Sequence, residues 1–149
     1  MSPSRYLPET EPPGVAIFDY NNDGNMDLLL VNTGTSAFNH PTRPHPHALY
    51  RNNGDGTFTD VTEQAGITAD LFAMGVAIGD YDGDGYPDIF ITGYDKCVLY
   101  HNNGNGTFTD VTAASGITPP VGPPRRCGMT ITTTASWTSS WRSSWITPA

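Results

Sequence analysis

Short runs of apolar residues recur along the chain, and clusters of Gly, Asn and Asp separate them. The runs are rich in β-branched, aromatic and aliphatic residues, which is typical of strands, whereas the separating residues favour turns. No heptad pattern and no long amphipathic helical run interrupts this alternation. The pattern predicts eight short strands, at residues 15–18, 28–31, 48–51, 57–61, 76–78, 89–92, 98–101 and 107–111.

The predicted strands fall into two copies of one four-stranded unit. Residues 14–20 return as residues 75–81, and residues 49–62 return almost unchanged as residues 99–112. A repeated unit of this kind is typical of propeller blades, of which a closed ring needs about four to eight. We therefore predict an all-β fold, a partial β-propeller of two four-stranded blades plus an aberrant tail, and we expect the chain to be a piece of a larger protein.

The repeats divide the chain into four segments. The blades are framed by a lead-in before the first repeat and by a Ser/Thr-rich tail that we expect to be disordered. The expected segments are the lead-in at residues 1–13, one blade at residues 14–67, a second blade at residues 75–117, and the tail at residues 118–149.

Each blade is predicted to end in a single helical turn. Thr62 can cap this turn in the first blade and Gly66 can end it, and Thr112 and Gly116 repeat the pattern in the second. The Gly-rich turns at residues 52–56 and 102–106 are interpreted as hairpin turns only.

The two units differ in one connection. Twenty-one residues separate Asp27 from Leu49, but only ten separate Asp88 from Leu99. We assign the extra stretch, which includes residues 39–47, to a surface insertion between two strands of the first unit.

Two nine-residue loops, at residues 19–27 and 80–88, share the spacing D-x-[DN]-x-D-G-x-x-D. In such a tight loop the side chains at positions 1, 3 and 5 converge, Gly at position 6 permits the sharp turn, the carbonyl at position 7 faces inward, and Asp at position 9 closes the shell. This oxygen set favours calcium, and it suits magnesium less because the loop supplies most ligands itself. The predicted metal ligands are Asp19, Asn21, Asp23, Asn25 and Asp27 in the first loop and Asp80, Asp82, Asp84, Tyr86 and Asp88 in the second.

The acidic loops are not EF-hands, because Leu30 and Ile91 occupy position 12, where an EF-hand has a bidentate Glu. An ordinary polar hairpin turn is the plain alternative, since Asp, Asn and Gly are common turn residues. Clustered carboxylates repel one another, however, and two such loops in register favour about two calcium ions. The second loop has four carboxylates and the first has three plus Asn21, so we expect the second to bind calcium more tightly.

Charge and composition exclude several function classes. The formal net charge of −8 argues against a nucleic-acid-binding surface. No apolar run reaches transmembrane length, so no membrane insertion is expected, and no signal peptide is visible in residues 1–10. Cys97 and Cys127 fit neither a disulfide framework nor a zinc site.

The histidines and nucleophiles suggest no enzyme. His40, His45 and His47 could form a zinc site, although an extended Pro-rich insertion is the plainer interpretation. His101 lies in a predicted strand and is interpreted as a surface or packing residue. No Ser/His/Asp or Cys/His set has the context of nucleophilic catalysis, so no catalytic or cofactor-binding residue is assigned.

The tail suggests a frameshift. Met is encoded by ATG, Trp by TGG, and every Thr codon begins with AC, so reading from the third base turns Met129–Thr130 and Trp137–Thr138 into Asp codons. These fall eight codons apart, the spacing of positions 1 and 9 in the acidic loops. We hypothesise that a frameshift between about residues 118 and 125 scrambled a third calcium repeat. Sequencing the gene tests this, and the absence of a homologous reading in the shifted frame would rule it out.

The sequence resembles FG-GAP repeats, also called VCBS repeats, as found in the integrin α-chain propeller. It is most similar to the cartilage acidic protein group, whose members often carry a C-terminal ASPIC/UnbV domain. The resemblance covers roughly residues 5–117, through residues 6–10, Gly-Val-Ala before each acidic loop, and the motif shared by residues 49–62 and 99–112. It implies extracellular or cell-envelope placement, calcium at the ten loop positions given above, and a role in adhesion or protein binding.

These observations predict a non-catalytic calcium-binding repeat module, an adhesion or protein-interaction scaffold whose protein or glycan partner is unknown. One alternative is a propeller fragment of a carbohydrate-active enzyme such as a polysaccharide lyase, which a deep pocket with convergent acidic and basic groups would favour. The other is a purely structural spacer, which calcium-dependent stability without any partner would indicate.

Overall fold

The computed structural model describes residues 14–33, 47–93 and 96–117, which form two antiparallel four-stranded sheets. Each sheet is a simple meander in which consecutive strands are neighbours, so the predicted all-β fold with two blade-like sheets is confirmed. The elements are β1 (Val15–Phe18), β2 (Asp27–Leu30), β3 (Ala48–Asn52), β4 (Phe58–Asp60), α1 (Thr62–Ala65), β5 (Ala73–Gly79), β6 (Asp88–Gly93), β7 (Cys97–Asn102) and β8 (Phe108–Asp110).

The two sheets have the same register. Leu29 on β2 lies opposite Leu49 on β3, and Phe90 on β6 lies opposite Leu99 on β7. Successive side chains on a strand point to opposite faces of the sheet. Each residue of the first sheet therefore has a counterpart on the same face of the second sheet, and the two can be compared position by position.

The main core lies between the sheets. Leu29 and Leu49 of the first sheet are fully buried in one cluster with Ile89 and Ile91 of the second. Phe90, the counterpart of Leu29, belongs instead to a second cluster on the far side of its sheet. We call the face of each sheet that carries Leu29 or Phe90 the far face, and the opposite face the near face. The far face of the first sheet therefore packs against the near face of the second, as stacked blades do.

The near face of the first sheet is open. Val15 and Ile17 are 59% and 68% exposed, whereas their counterparts Val76 and Ile78 are partly buried against the core. We call the exposed surface of the first sheet the open face. It consists of Val15 and Ile17 with the half-buried Leu28, Leu30 and Tyr50.

Polar contacts also join the two sheets and the segment between them. The amide Nδ2 of Asn102 donates to the carbonyl of Tyr20 at 2.8 Å. The hydroxyl of Tyr100 accepts hydrogen bonds from the backbone N–H groups of Thr68 (3.2 Å) and Ala69 (2.8 Å). These bonds satisfy polar groups of the buried side chains Asn102 and Tyr100, and they add a directional restraint to the apolar packing.

The helical turn differs in part from its prediction. Helix α1 begins at Thr62, with Val61 at the cap position and no side-chain cap, so the predicted cap is wrong. The Thr62 hydroxyl instead donates to the carboxylate of Asp60 at 2.6 Å. Gly66 ends the helix with φ at 79°, as predicted, while residues 112–116 form a turn rather than a helix. No helix within the described ranges is long and apolar enough to cross a membrane.

Strand β5 is longer than predicted, since it begins at Ala73 rather than at residue 76. Within the added residues, Gly75 pairs with Thr92 beside a register shift. A Cβ at Gly75 would lie 3.1 Å from the hydroxyl of Thr92, so the close approach of β6 favours glycine here.

His47 was placed in a surface insertion, and that placement is wrong. The residue is buried immediately before β3, and its Nδ1 accepts a hydrogen bond from the Asn32 N–H at 3.3 Å. Burial lowers the pKa of His47 to about 4, so its imidazole is neutral. The rest of the insertion (residues 34–46), with the other histidines of the zinc alternative, lies outside the described residues, as do residues 1–13 and the tail at residues 118–149.

Cys97 is buried and disulfide-bonded, which the cysteine count did not predict. A single disulfide requires only that two Cα atoms approach within about 4.4 to 6.8 Å, and spacing along the chain does not reveal such an approach. Cys127 lies outside the described residues.

Candidate metal site

The two acidic loops connect β1 to β2 and β5 to β6. Gly24 and Gly85, at position 6 of each loop, have φ values of 87° and 89°. A Cβ at either residue would meet nothing within 4 Å, so the left-handed backbone, and not a lack of space, requires glycine there. The sharp turn that the loop motif predicted is therefore present in both loops.

The second loop folds around the carboxylate of Asp80 at position 1. This carboxylate accepts hydrogen bonds from the backbone N–H groups of Gly83 (2.7 Å) and Gly85 (3.0 Å), with a longer one from Asp84 (3.2 Å). Burial opposes ionisation of Asp80, but the three N–H donors outweigh it and lower the pKa of the carboxyl. The loop thus keeps an ionised carboxylate at its centre.

The first loop has the same framework with one amide in place of a carboxylate. Asp19 accepts hydrogen bonds from the N–H groups of Asp23 (3.1 Å) and Gly24 (2.8 Å). Asn21 donates its side-chain amide to Asp23 at 2.8 Å, and this bond is the main cause of the lowered pKa of Asp23. The amide therefore stabilises the neighbouring negative charge in this loop.

Position 9 is buried in both loops. The carboxylates of Asp27 and Asp88 each accept two backbone hydrogen bonds, one from the residue after position 1 and one from the third strand of the sheet. For Asp88 the donors are Tyr81 (2.8 Å) and Asn102 (2.7 Å). Burial is the main cause that raises the pKa of both carboxyls, so the ionised forms are disfavoured unless a cation lies near.

The structure brings positions 1, 3 and 5 of the second loop together. Carboxylate oxygens of Asp80, Asp82 and Asp84 all lie within 4.8 Å of one another. Asp88 does not join that group of three, but it lies within the same distance of Asp82 and of His101. Among the described residues no comparable group of acidic, His or Cys residues is found in the first loop, where position 3 is Asn21.

The side chains at position 7 pack against the hairpin turns. A Cβ at Gly104 would lie 2.8 Å from the ring of Tyr86, and one at Gly54 would lie 3.4 Å from the side chain of Asn25. These contacts place the side chains of Tyr86 and Asn25 beside the turns, and the inward carbonyl at position 7 stays a prediction. The ten ligand assignments remain predictions.

Sequence reasoning missed His101. Its Nδ1 lies 3.1 Å from the Asp82 carboxylate and 3.4 Å from the Asp88 carboxylate. A comparison of the two repeats contains the signal, because His101 stands where the first repeat has Arg51, next to the asparagine whose N–H bonds to position 9. A residue at that place lies beside the acidic loop.

Comparison with known families agrees with the repeat structure. A model of the FG-GAP-like repeat matches residues 19–91 and again residues 80–127, so the matched part extends over well more than half of the chain. Both matches begin at the first Asp of an acidic loop.

The chain belongs to the FG-GAP-like repeat family. Such repeats are in general interaction modules of proteins, and the two sheets of this FG-GAP-like chain are accordingly repeat units of one module. No curated protein matches the chain.

Proposed function

We propose that this FG-GAP-like chain is a non-catalytic calcium-binding module that holds about two ions. The units of residues 14–67 and 75–117 would be two blades of a larger propeller of the cartilage acidic protein type, outside the cell or in its envelope, with a surface that binds a protein or a glycan. The observation that carries the proposal is the convergence of the Asp80, Asp82 and Asp84 carboxylates within 4.8 Å of one another.

Electrostatics supports a cation at this place. Two unit charges about 4 Å apart repel by about 1 kcal/mol in bulk water and by about 4 kcal/mol near a protein surface. The N–H groups around Asp80 favour its ionised form and so maintain the repulsion. A divalent cation removes it, and calcium accepts the mixed shell of carboxylates, carbonyl and water that an exposed loop can offer.

The buried carboxylates at position 9 add to the argument. Asp27 and Asp88 are almost completely buried, and burial raises the pKa of each. A calcium ion in the loop would stabilise their ionised forms, so binding would also stabilise the fold. Each loop would thus couple its metal ion to the first three strands of its own sheet.

The open face supports a place in a larger assembly. The near face of the second sheet is covered by the first sheet, whereas Val15 and Ile17 on the near face of the first are exposed. We propose that another blade covers the open face in the intact protein. The interaction surface for protein or glycan would then be formed by the assembled ring.

Calcium titration tests the metal proposal. We expect isothermal titration calorimetry on the metal-free chain to give about two sites, with the second loop binding more tightly. At a hundredfold excess of calcium over the Kd, the free energy of unfolding should rise by about 2.7 kcal/mol. Asp84→Asn should weaken binding in the second loop by at least about tenfold, since ligand charge sets affinity.

Asp55→Asn is the matched control. It removes one exposed carboxylate from a hairpin turn and installs the residue that the second repeat has at the same place, Asn105. This variant should bind calcium as the wild type does. The calcium proposal fails if millimolar calcium produces neither heat nor a thermal shift, or if Asp55→Asn and Asp84→Asn lose calcium equally.

A further inference from the structure

The second acidic loop carries a nitrogen donor that the first loop lacks. The Nδ1 atom of His101 lies 3.1 Å from Oδ2 of Asp82 and 3.4 Å from Oδ1 of Asp88. The potential donor atoms of these three residues all lie within 4.8 Å of one another. In the first loop the matching positions are Arg51, Asn21 and Asp27, which offer a single carboxylate.

The imidazole nitrogen Nδ1 lies close to the two carboxylates but forms no hydrogen bond with either. Nδ1 of His101 is buried and forms no hydrogen bond with acceptable geometry, although two carboxylate oxygens lie within 3.4 Å. A buried polar atom with no partner is costly, and such an atom beside a cluster of oxygen ligands is typical of a coordination site. The edge of the Tyr81 ring meets the imidazole at 90°, with the centroids 6.0 Å apart, and restrains its orientation.

The spacing of the donors fits a small divalent metal. For bonds of about 2.1 Å, neighbouring ligands lie about 3.0 Å apart in an octahedron and about 3.4 Å apart in a tetrahedron. The observed separations of 3.1 and 3.4 Å fall within that range. Calcium binds oxygen and not imidazole, whereas zinc, cobalt, nickel and copper bind both imidazole and carboxylate.

The carboxylates differ in rigidity in a way that suits such a site. Asp88 is 1% exposed, and backbone hydrogen bonds from Tyr81 and Asn102 hold both of its oxygens. Outer hydrogen bonds of this kind orient a metal ligand before the ion arrives. The side chains of Asp82 and His101 are 33% and 25% exposed, so the site borders solvent although the Nδ1 atom itself is buried.

We propose that the second loop binds a transition-metal dication of the zinc or cobalt type through His101 Nδ1, Asp82 and Asp88. This inference rests on the proposed function in one respect, since Asp82 and Asp88 would also serve the calcium site. The two ions would therefore compete for the second loop. The first loop, with Arg51 in place of the imidazole, would bind calcium alone.

Cobalt(II) titration of the untagged, metal-free chain tests the proposal. We expect one site with visible ligand-field absorption, and we expect added calcium to displace that cobalt. His101→Arg installs the residue of the first repeat and should weaken cobalt binding by at least about tenfold. His101→Gln serves as a second variant if the arginine disturbs folding, which circular dichroism checks.

A transplanted site provides the positive control. The double variant Asn21→Asp with Arg51→His gives the first loop the three donors of the second and should bind a second cobalt ion. The proposal is overturned if the wild type binds no cobalt at millimolar concentration, or if His101→Arg binds it as well as the wild type does. In that last case the cobalt would lie on other histidines, which the variant leaves intact.

The calcium isotherms of the same proteins keep the two proposals separate. Calcium binding by His101→Arg, with cobalt binding lost, supports both proposals. Cobalt binding by a wild type that does not bind calcium would retain the transition-metal site and overturn the proposed function instead.

Discussion

Single residues of the chain often serve two elements at once. Asp88 closes the acidic loop through the Tyr81 N–H and fastens that loop to β7 through the Asn102 N–H. His47 is likewise buried and accepts a hydrogen bond from the N–H of Asn32, just beyond β2. Substitutions at such residues should affect both local geometry and global stability.

His47 should make stability depend on pH. Its pKa is about 4 in the folded chain against 6.5 when unperturbed, so between those values the unfolded state binds a proton that the folded state does not. The contribution of His47 to the free energy of unfolding is therefore fully present above about pH 6.5. It is lost as the pH decreases to about 4, a loss of about 3 kcal/mol in all. Urea denaturation across this range measures the effect.

His47→Gln is the comparison for that measurement, because glutamine keeps an acceptor for the Asn32 N–H and does not titrate. The raised pKa values of Asp27 and Asp88 act in the opposite sense but are common to both proteins. The difference in stability between wild type and variant should change with pH. A constant difference would show that the pKa of His47 is the same in the folded and unfolded states, and it would contradict the lowered pKa.

At the scale of elements, the two hairpins that follow the acidic loops have the same local hydrogen bonds but differ in their contacts with the other sheet. Asn52 and Asn102 each accept a hydrogen bond from the glycine two residues later and each donate to the carbonyl before position 9. Only Asn102 also donates across the sheets, to the carbonyl of Tyr20 at 2.8 Å. Asn102 is fully buried, while Asn52 is half-buried.

Alanine substitutions should separate these roles. Asn102→Ala leaves the Tyr20 carbonyl without that donor and should lower the free energy of unfolding by about 2 to 3 kcal/mol, whereas Asn52→Ala should cost about 1 kcal/mol. Chemical denaturation of both variants measures the difference. Equal losses would mean that the bond between the sheets adds nothing to stability.

At the scale of the whole molecule, the stacking of the described sheets leaves the open face exposed. The open face carries Val15 and Ile17, and the same positions of the second sheet, Val76 and Ile78, pack against the core. An exposed apolar patch on a sheet is typical of an interaction surface.

A pair of matched substitutions tests this asymmetry. Ile17→Glu should change the stability of the chain by no more than about 0.5 kcal/mol and should reduce self-association, because it places a charge on exposed surface. Ile78→Glu should cost about 2 to 4 kcal/mol, because its side chain contacts the core. Thermal denaturation and sedimentation measure both effects. Equal destabilisation by the two would show that the open face is covered in solution.

The strands, the sharp turns and the acidic loops could all be predicted from the sequence. Each depends on residues close together in the chain. The left-handed backbone of Gly24 and Gly85, for example, follows from a motif nine residues long. The repeat strengthened the strand prediction, because each strand pattern occurs in both units. Family membership follows from the same local pattern, because both matches begin at the first Asp of a loop.

Tertiary structure alone decided which copy of each repeated position is buried and what lies beside it. Ile17 and Ile78 are the same residue type at the same place in two repeats, yet stacking covers only the second. Packing also decided what surrounds two histidines. His47 is buried beside the end of β2, and His101 on β7 lies at the edge of the acidic loop. Local patterns specify conformation, but burial and proximity depend on how distant segments pack, and a repeat in sequence does not reveal which copy is covered.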